Sequence, residues 1–160
     1  MRRNAVPFLC LLLLLIFLSG CFFAVPEDEV ILSIGEVEER RFYSSGGFQD
    51  FTDYGKYSFV ECSLADNPYL KPLSEEDCTV FGYYLDDFEG WVDMIAESEP
   101  KNELPLNYDF SRSQVDSSDY FYLYTDPDYH SYGEYNISGY YRLYFFDTQS
   151  QILFYFRNNI

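Results

Sequence analysis

Five carboxylates crowd one stretch of this chain, Asp86, Asp87, Glu89, Asp93 and Glu97. Paired carboxylates are the machinery of glycoside hydrolysis, in which one acid holds its proton while the other stays ionised. At helical spacing Glu89, Asp93 and Glu97 fall on one face, and a solvated helix face does not raise a carboxyl pKa. The ridge therefore reads as a solubilising surface, and no catalytic residue is assigned. Its like-charge i,i+4 pairs each cost roughly 0.2–0.5 kcal/mol, a cost that a basic protein partner docking there would offset. His130 is the sole histidine, and Asp126-Pro127-Asp128 beside it lacks the Gly and Glu positions of a calcium loop. That run reads as a turn, so neither a metal nor another cofactor is expected. There is no G-x-S-x-G, and Gly46-Gly47 is not followed by the Lys of a phosphate-binding loop.

The other chemistry-bearing set is aromatic. Residues 119–157 hold ten Tyr and five Phe. In Asp119 to Thr125 the rings of Tyr120, Tyr122 and Tyr124 share one face of a strand, while Phe121 and Leu123 share the other. Either both faces are covered, or one presents a tyrosine platform suited to a glycan or a small molecule, because tyrosine joins a large apolar body to a polar tip.

The amino terminus is a targeting pattern: Arg2 and Arg3, then eleven apolar residues from Phe8 to Leu18, then Leu18-Ser19-Gly20-Cys21. The apolar run has signal-peptide length and falls short of the ~20 residues that span a bilayer. Residues 18–21 resemble the lipobox of bacterial lipoprotein precursors. The resemblance implies removal of residues 1–20 and acylation of Cys21, with fatty chains such as palmitate holding the protein to the outer side of the cell membrane. Two acyl chains at ~0.8 kcal/mol per buried methylene make such an anchor stable. The alternatives are plain secretion and an uncleaved anchor, the latter because Phe22 to Val25 extends the apolar stretch.

That location sets the meaning of the remaining thiols. Cys62 and Cys78 are a candidate disulfide, which a loop of this length would reward with roughly 3 kcal/mol; buried free thiols are the competing reading.

The elements that must position these groups are legible in part. The segment 21–47 is rich in acids and small residues, and reads as a lipidated tether with one short helix or strand. A single domain is expected over 48–160. Within it, Lys56 to Leu64 and Thr79 to Tyr84 read as strands. Asp87 to Ser98 reads as a helix capped by Asp86, with Leu85, Phe88, Trp91, Val92, Ile95 and Ala96 on its apolar face. Asp119 to Thr125, Gly139 to Phe146 and Gln151 to Arg157 read as strands, the last two as a hairpin. Tyr141, Leu143, Phe145, Ile152, Phe154 and Phe156 are the expected core face, because Arg142 and Arg157 on the other prefer water. The sum is an α+β fold, a small antiparallel sheet of about four to six strands with one amphipathic helix packed on it.

Composition narrows the function classes. Ten Lys and Arg stand against 27 Asp and Glu in 160 residues, a formal charge of −17, with 21% aromatic residues. Phosphate recognition needs clustered basic residues, which disfavours nucleic acid; so many rings exclude a disordered acidic tail. Loss of residues 1–20 removes two arginines and no acid, which leaves the remainder at −19. The expectation is a membrane-anchored, non-catalytic extracytoplasmic module that binds a protein partner, with ligand binding on the tyrosine face as the alternative and a carboxylate hydrolase behind both.

Overall fold

The computed structural model describes residues 28–46 and 50–160. Cys21 and the targeting pattern lie outside the described residues. Asp28 accepts from the Val30 amide at 2.9 Å and so caps a single helical turn, α1 (Glu29–Leu32). The strands β1 (Val37–Ser44) and β2 (Phe51–Phe59) follow. After the short β3 (Lys71–Pro72) come the long helix α2 (Glu75–Ser98), the one-turn α3 (Glu103–Asn107) and a 3-10 turn at Arg112–Gln114. The strand β4 (Tyr120–Thr125), a small β5 (Ser131–Tyr132) and β6 (Ile137–Ser138) pair, and then β7 (Tyr140–Asp147) and β8 (Ile152–Asn159) close the chain. Six strands form one antiparallel sheet in the order β1-β2-β8-β7-β4-β3. Among the described residues no helix is long and apolar enough to cross a membrane. The α+β reading holds, and the β7–β8 hairpin forms as expected.

Both sheet faces are covered, by different means. On the first face Tyr141, Leu143, Phe145, Phe154 and Phe156 meet Phe81, Leu85, Phe88 and Val92 of α2, with Leu104 and Phe110 filling the flank. Burying each such side chain contributes roughly 1.5–3 kcal/mol. On the second face Tyr144, Phe146, Leu153 and Tyr155 are sealed by Val30, Ile31 and Ile34 and by Leu70. Residues 28–44 are thus built into the fold, and β1 pairs with β2 along its length. The folded unit takes in Asp28 onward and does not begin at residue 48.

Three local expectations change. Thr79–Tyr84 is not a strand, because α2 starts at Glu75. Ser74 accepts from the Asp77 amide while Asp77 accepts from that of Ser74, both at 3.1 Å, a capping box placed a dozen residues before the expected one. The stripe Phe81, Leu85, Phe88, Val92 then overrides the strand propensity of the Thr-Val-Phe stretch. Asp86 caps nothing; it accepts from Arg112 at 2.6 Å. The strand expected over Lys56 to Leu64 runs instead over Phe51–Phe59.

Cys62 and Cys78 are free thiols. Cys62 packs against the second core, whereas Cys78 is exposed at the start of the helix that covers the first. The sheet lies between them, so this fold does not form the candidate disulfide.

Candidate functional site

Alternation along the strands gathers the second face's polar residues at one end of the sheet. Tyr122 and Tyr124 of β4 stand opposite Tyr144 and Arg142 of β7. Leu73, Asp119 and the β3–β4 pairing hold the preceding loop, so Tyr69 reaches the same place. Capping of α1 brings Asp28 and Glu29. Together these residues and Val30 line a groove of about 460 Å³, within the ~300–1,000 Å³ typical of small-molecule sites.

Its walls are aromatic. The rings of Tyr69 and Tyr122 lie 5.6 Å apart, tilted by 57°, and Tyr122 and Tyr144 lie 5.7 Å apart. Its polar groups are fixed by one another. Tyr144 donates to Asp28 Oδ2 at 2.5 Å, and Arg142 Nη1 donates to the same oxygen at 3.2 Å. Arg142 Nε donates to the Tyr140 hydroxyl at 2.8 Å, and the guanidinium lies 5.2 Å from the Tyr124 ring centroid and 5.6 Å from that of Tyr140. Tyr69 donates to Glu29 Oε2 at 3.0 Å. Burial, with the Asp28 bond beside it, pushes the Tyr144 hydroxyl well above the ordinary phenol range, so it stays a donor.

The residues singled out from sequence divide between this groove and elsewhere. Tyr122 and Tyr124 line it, while Tyr120 packs into the second core. Asp93 and Glu97 are exposed on α2 as expected. Glu89 is instead tied down, accepting from Tyr108 at 2.9 Å and from Arg112. Asp87 is also consumed, accepting from Tyr132 and Tyr141 at 2.9 Å each and from Asn158 at 3.3 Å. Asp86, Asp87 and Glu89 therefore serve neighbouring hydroxyls, an amide and a guanidinium, while Asp93 and Glu97 stand apart on the exposed side of the helix. Asp126 Oδ1 accepts from the Asp128 amide at 3.0 Å, the turn that the sequence implies. Among the described residues no group of three or more His, Cys, Asp or Glu could hold a metal ion.

Sequence reasoning missed Arg142, Tyr69, Asp28 and Glu29. Arg142 was expected to face water, but it shares the alternation phase of Tyr144, and an arginine within a tyrosine stripe was the available signal. Nothing local marks the others, which arrive from segments more than 50 residues away from β4 and β7 in sequence. The chain matches no known protein family, no curated protein and no solved structure.

Proposed function

We propose that this chain is a lipid-anchored, extracytoplasmic, non-catalytic binding module that takes a small-molecule or glycan ligand in the tyrosine groove. The carrying observation is the convergence of Tyr69, Tyr122, Tyr124 and Tyr144 around Arg142 in one concave site. Ring faces contribute apolar contact and hydroxyls orient a ligand at low entropy cost. A non-catalytic role is supported by the acids of α2, whose strongest candidates already accept bonds from this chain.

The anchor part of the reading rests on Leu18-Ser19-Gly20-Cys21. Only six residues separate Cys21 from Asp28. At ~3.3–3.6 Å per residue a lipid on Cys21 would hold the groove's Asp28 within about 25 Å of the bilayer. A ligand would be met at the membrane surface, not at the end of a long tether. Metabolic labelling with an alkynyl fatty acid tests this: the chain takes up label and Cys21→Ala does not. Label retained in that variant overturns the anchor.

For the groove, the full chain carrying 13C-labelled tyrosine rings is titrated with a panel of small molecules and oligosaccharides. A ligand shifts the signals of Tyr69, Tyr122 and Tyr124 and leaves those of rings outside the groove unmoved. A second reading keeps the basic protein partner, favoured by Asp93 and Glu97 standing exposed on α2. It requires affinity that falls steeply with salt and that Asp93→Asn with Glu97→Gln weakens, with the groove signals unmoved.

A further inference from the structure

The groove's charges are unequal in a way that points to one ligand class. Asp28 and Arg142 compensate each other through their direct bond, with the Tyr144 hydroxyl completing the carboxylate's shell. Glu29 is left over. It is exposed, its only side-chain bond among the described residues is the one from Tyr69, and it gives the lining two carboxylates against one guanidinium.

The ring faces are unequal too. Tyr124 and Tyr140 already carry the Arg142 guanidinium. Tyr69 and Tyr122 pack against each other, 5.6 Å apart and tilted by 57°, and both border the groove with the Glu29 carboxylate beside them. A ring face is negative, so ring surface that borders the groove beside a carboxylate suits a weakly hydrated cation. An acidic sugar or other anion would meet Glu29 uncompensated. The field of a chain at −17 raises the local concentration of cations and lowers that of anions.

We propose that the groove binds an organic ammonium, a trimethylammonium or comparable amine group, beside Tyr69 and Tyr122 with Glu29 as its counter-ion. This rests on the groove being a ligand site and specifies what it takes. The same group could be presented by a free metabolite or by a lipid headgroup, and the chemistry of recognition would be shared.

The test uses the full chain with 13C-labelled tyrosine in a polyoxyethylene detergent, which carries neither ammonium nor sugar. Choline is titrated against 3,3-dimethylbutan-1-ol, its neutral isostere, and against maltotriose. Choline binds, with a dissociation constant of order 1–10 mM, at least fivefold more tightly than the isostere, as one or two ring contacts imply. Glu29→Gln, a change on an exposed turn, weakens choline about fivefold and leaves the isostere unchanged. Tyr122→Leu, which keeps apolar bulk without the ring, does the same. Dihexanoylphosphatidylcholine below its micellar concentration separates the sources: binding tighter than choline indicates the headgroup, and equal or weaker binding indicates a free metabolite. Equal binding of choline and isostere, absence of choline binding, or choline binding indifferent to both variants overturns the ammonium assignment. Maltotriose shifting Tyr122 while choline does not would overturn it and leave the groove reading intact, whereas groove signals unmoved by every probe would count against both.

Discussion

Tyr54 donates to Asp109 at 2.8 Å, Tyr108 to Glu89 at 2.9 Å, Tyr141 to Asp87 at 2.9 Å, and Tyr144 to Asp28. A buried phenol needs an acceptor for its hydroxyl, and a carboxylate makes that bond stronger than a neutral oxygen does. The abundance of acids and the abundance of tyrosines are therefore linked at the level of single residues, since several of the acids complete buried rings. The arginines follow a similar rule. Asp53 is buried and accepts from Nε and Nη2 of Arg157, which also lies over the Phe51 ring at 4.2 Å. Removing one partner of such a pair leaves the other charge half-buried and unpaired. Because the Arg157 side chain keeps 27% of its exposure, water recovers part of the loss, and Asp53→Ala is expected to cost about 2–3 kcal/mol in urea unfolding. Asp93→Ala, on the open face of α2, changes stability by less than about 0.5 kcal/mol. Equal effects of the two substitutions would contradict this ranking of the acids.

The helix α2 shows how an element is decided by its ends and its stripe together. Ser74→Ala removes the cap and is expected to cost about 1 kcal/mol. Gly82 and Gly90 sit inside the helix where an added Cβ would meet nothing within 4 Å. Replacing either by Ala reduces the entropy of the unfolded chain and brings no clash, so each is expected to raise stability by about 0.5–1 kcal/mol; thermal melts of the two single variants and the double check both sign and additivity. These glycines also explain why the helix start was hard to read. Gly82, amid Thr79, Val80, Phe81, Tyr83 and Tyr84, weakens the helical signal where aromatic and β-branched residues strengthen the strand signal. By contrast, β4, β7 and β8 were legible because alternation of Tyr and Phe with flanking turn residues is a local pattern. The groove was legible only by halves. Tyr122 and Tyr124 lie on a readable strand, but Asp28, Glu29 and Tyr69 come from segments without periodicity, and their approach depends on which apolar residues seal the second sheet face.

Across the whole molecule the buried tyrosines set the response to pH. Burial pushes the Tyr57 hydroxyl up to about 12 and those of Tyr54, Tyr108, Tyr144 and Tyr155 higher still, and it is the largest cause of the rise at Tyr141 as well. An unfolded phenol ionises near ~10. Between that value and the folded one, the unfolded state loses protons that the folded state retains. The stability these groups contribute is fully present below about pH 10 and drains away as pH rises through the folded values. Each buried phenol removes up to about 1.4 kcal/mol per pH unit in that window. With several acting together, the urea midpoint is expected to stay level from pH 7 to 9 and to collapse within about one to two units above pH 10. On the acid side partial burial works to raise the Asp109 carboxyl, but the bonds from Lys56 and Tyr54 outweigh it and hold the group below its ordinary value. Its contribution is present above about pH 4 and is lost as pH falls through the folded value, a much shallower change because one exposed group carries it. Tyrosinate absorbance near 295 nm, followed beside the urea midpoint, separates the alkaline mechanism from simple charge repulsion in an already anionic chain. Buried phenols predict that one part of the absorbance rises together with unfolding in a cooperative step, on top of the gradual rise from the exposed rings. Ionisation of all seventeen tyrosines with the fold intact would show that the buried hydroxyls reach solvent and that the pairing of rings with acids does not hold the two faces closed.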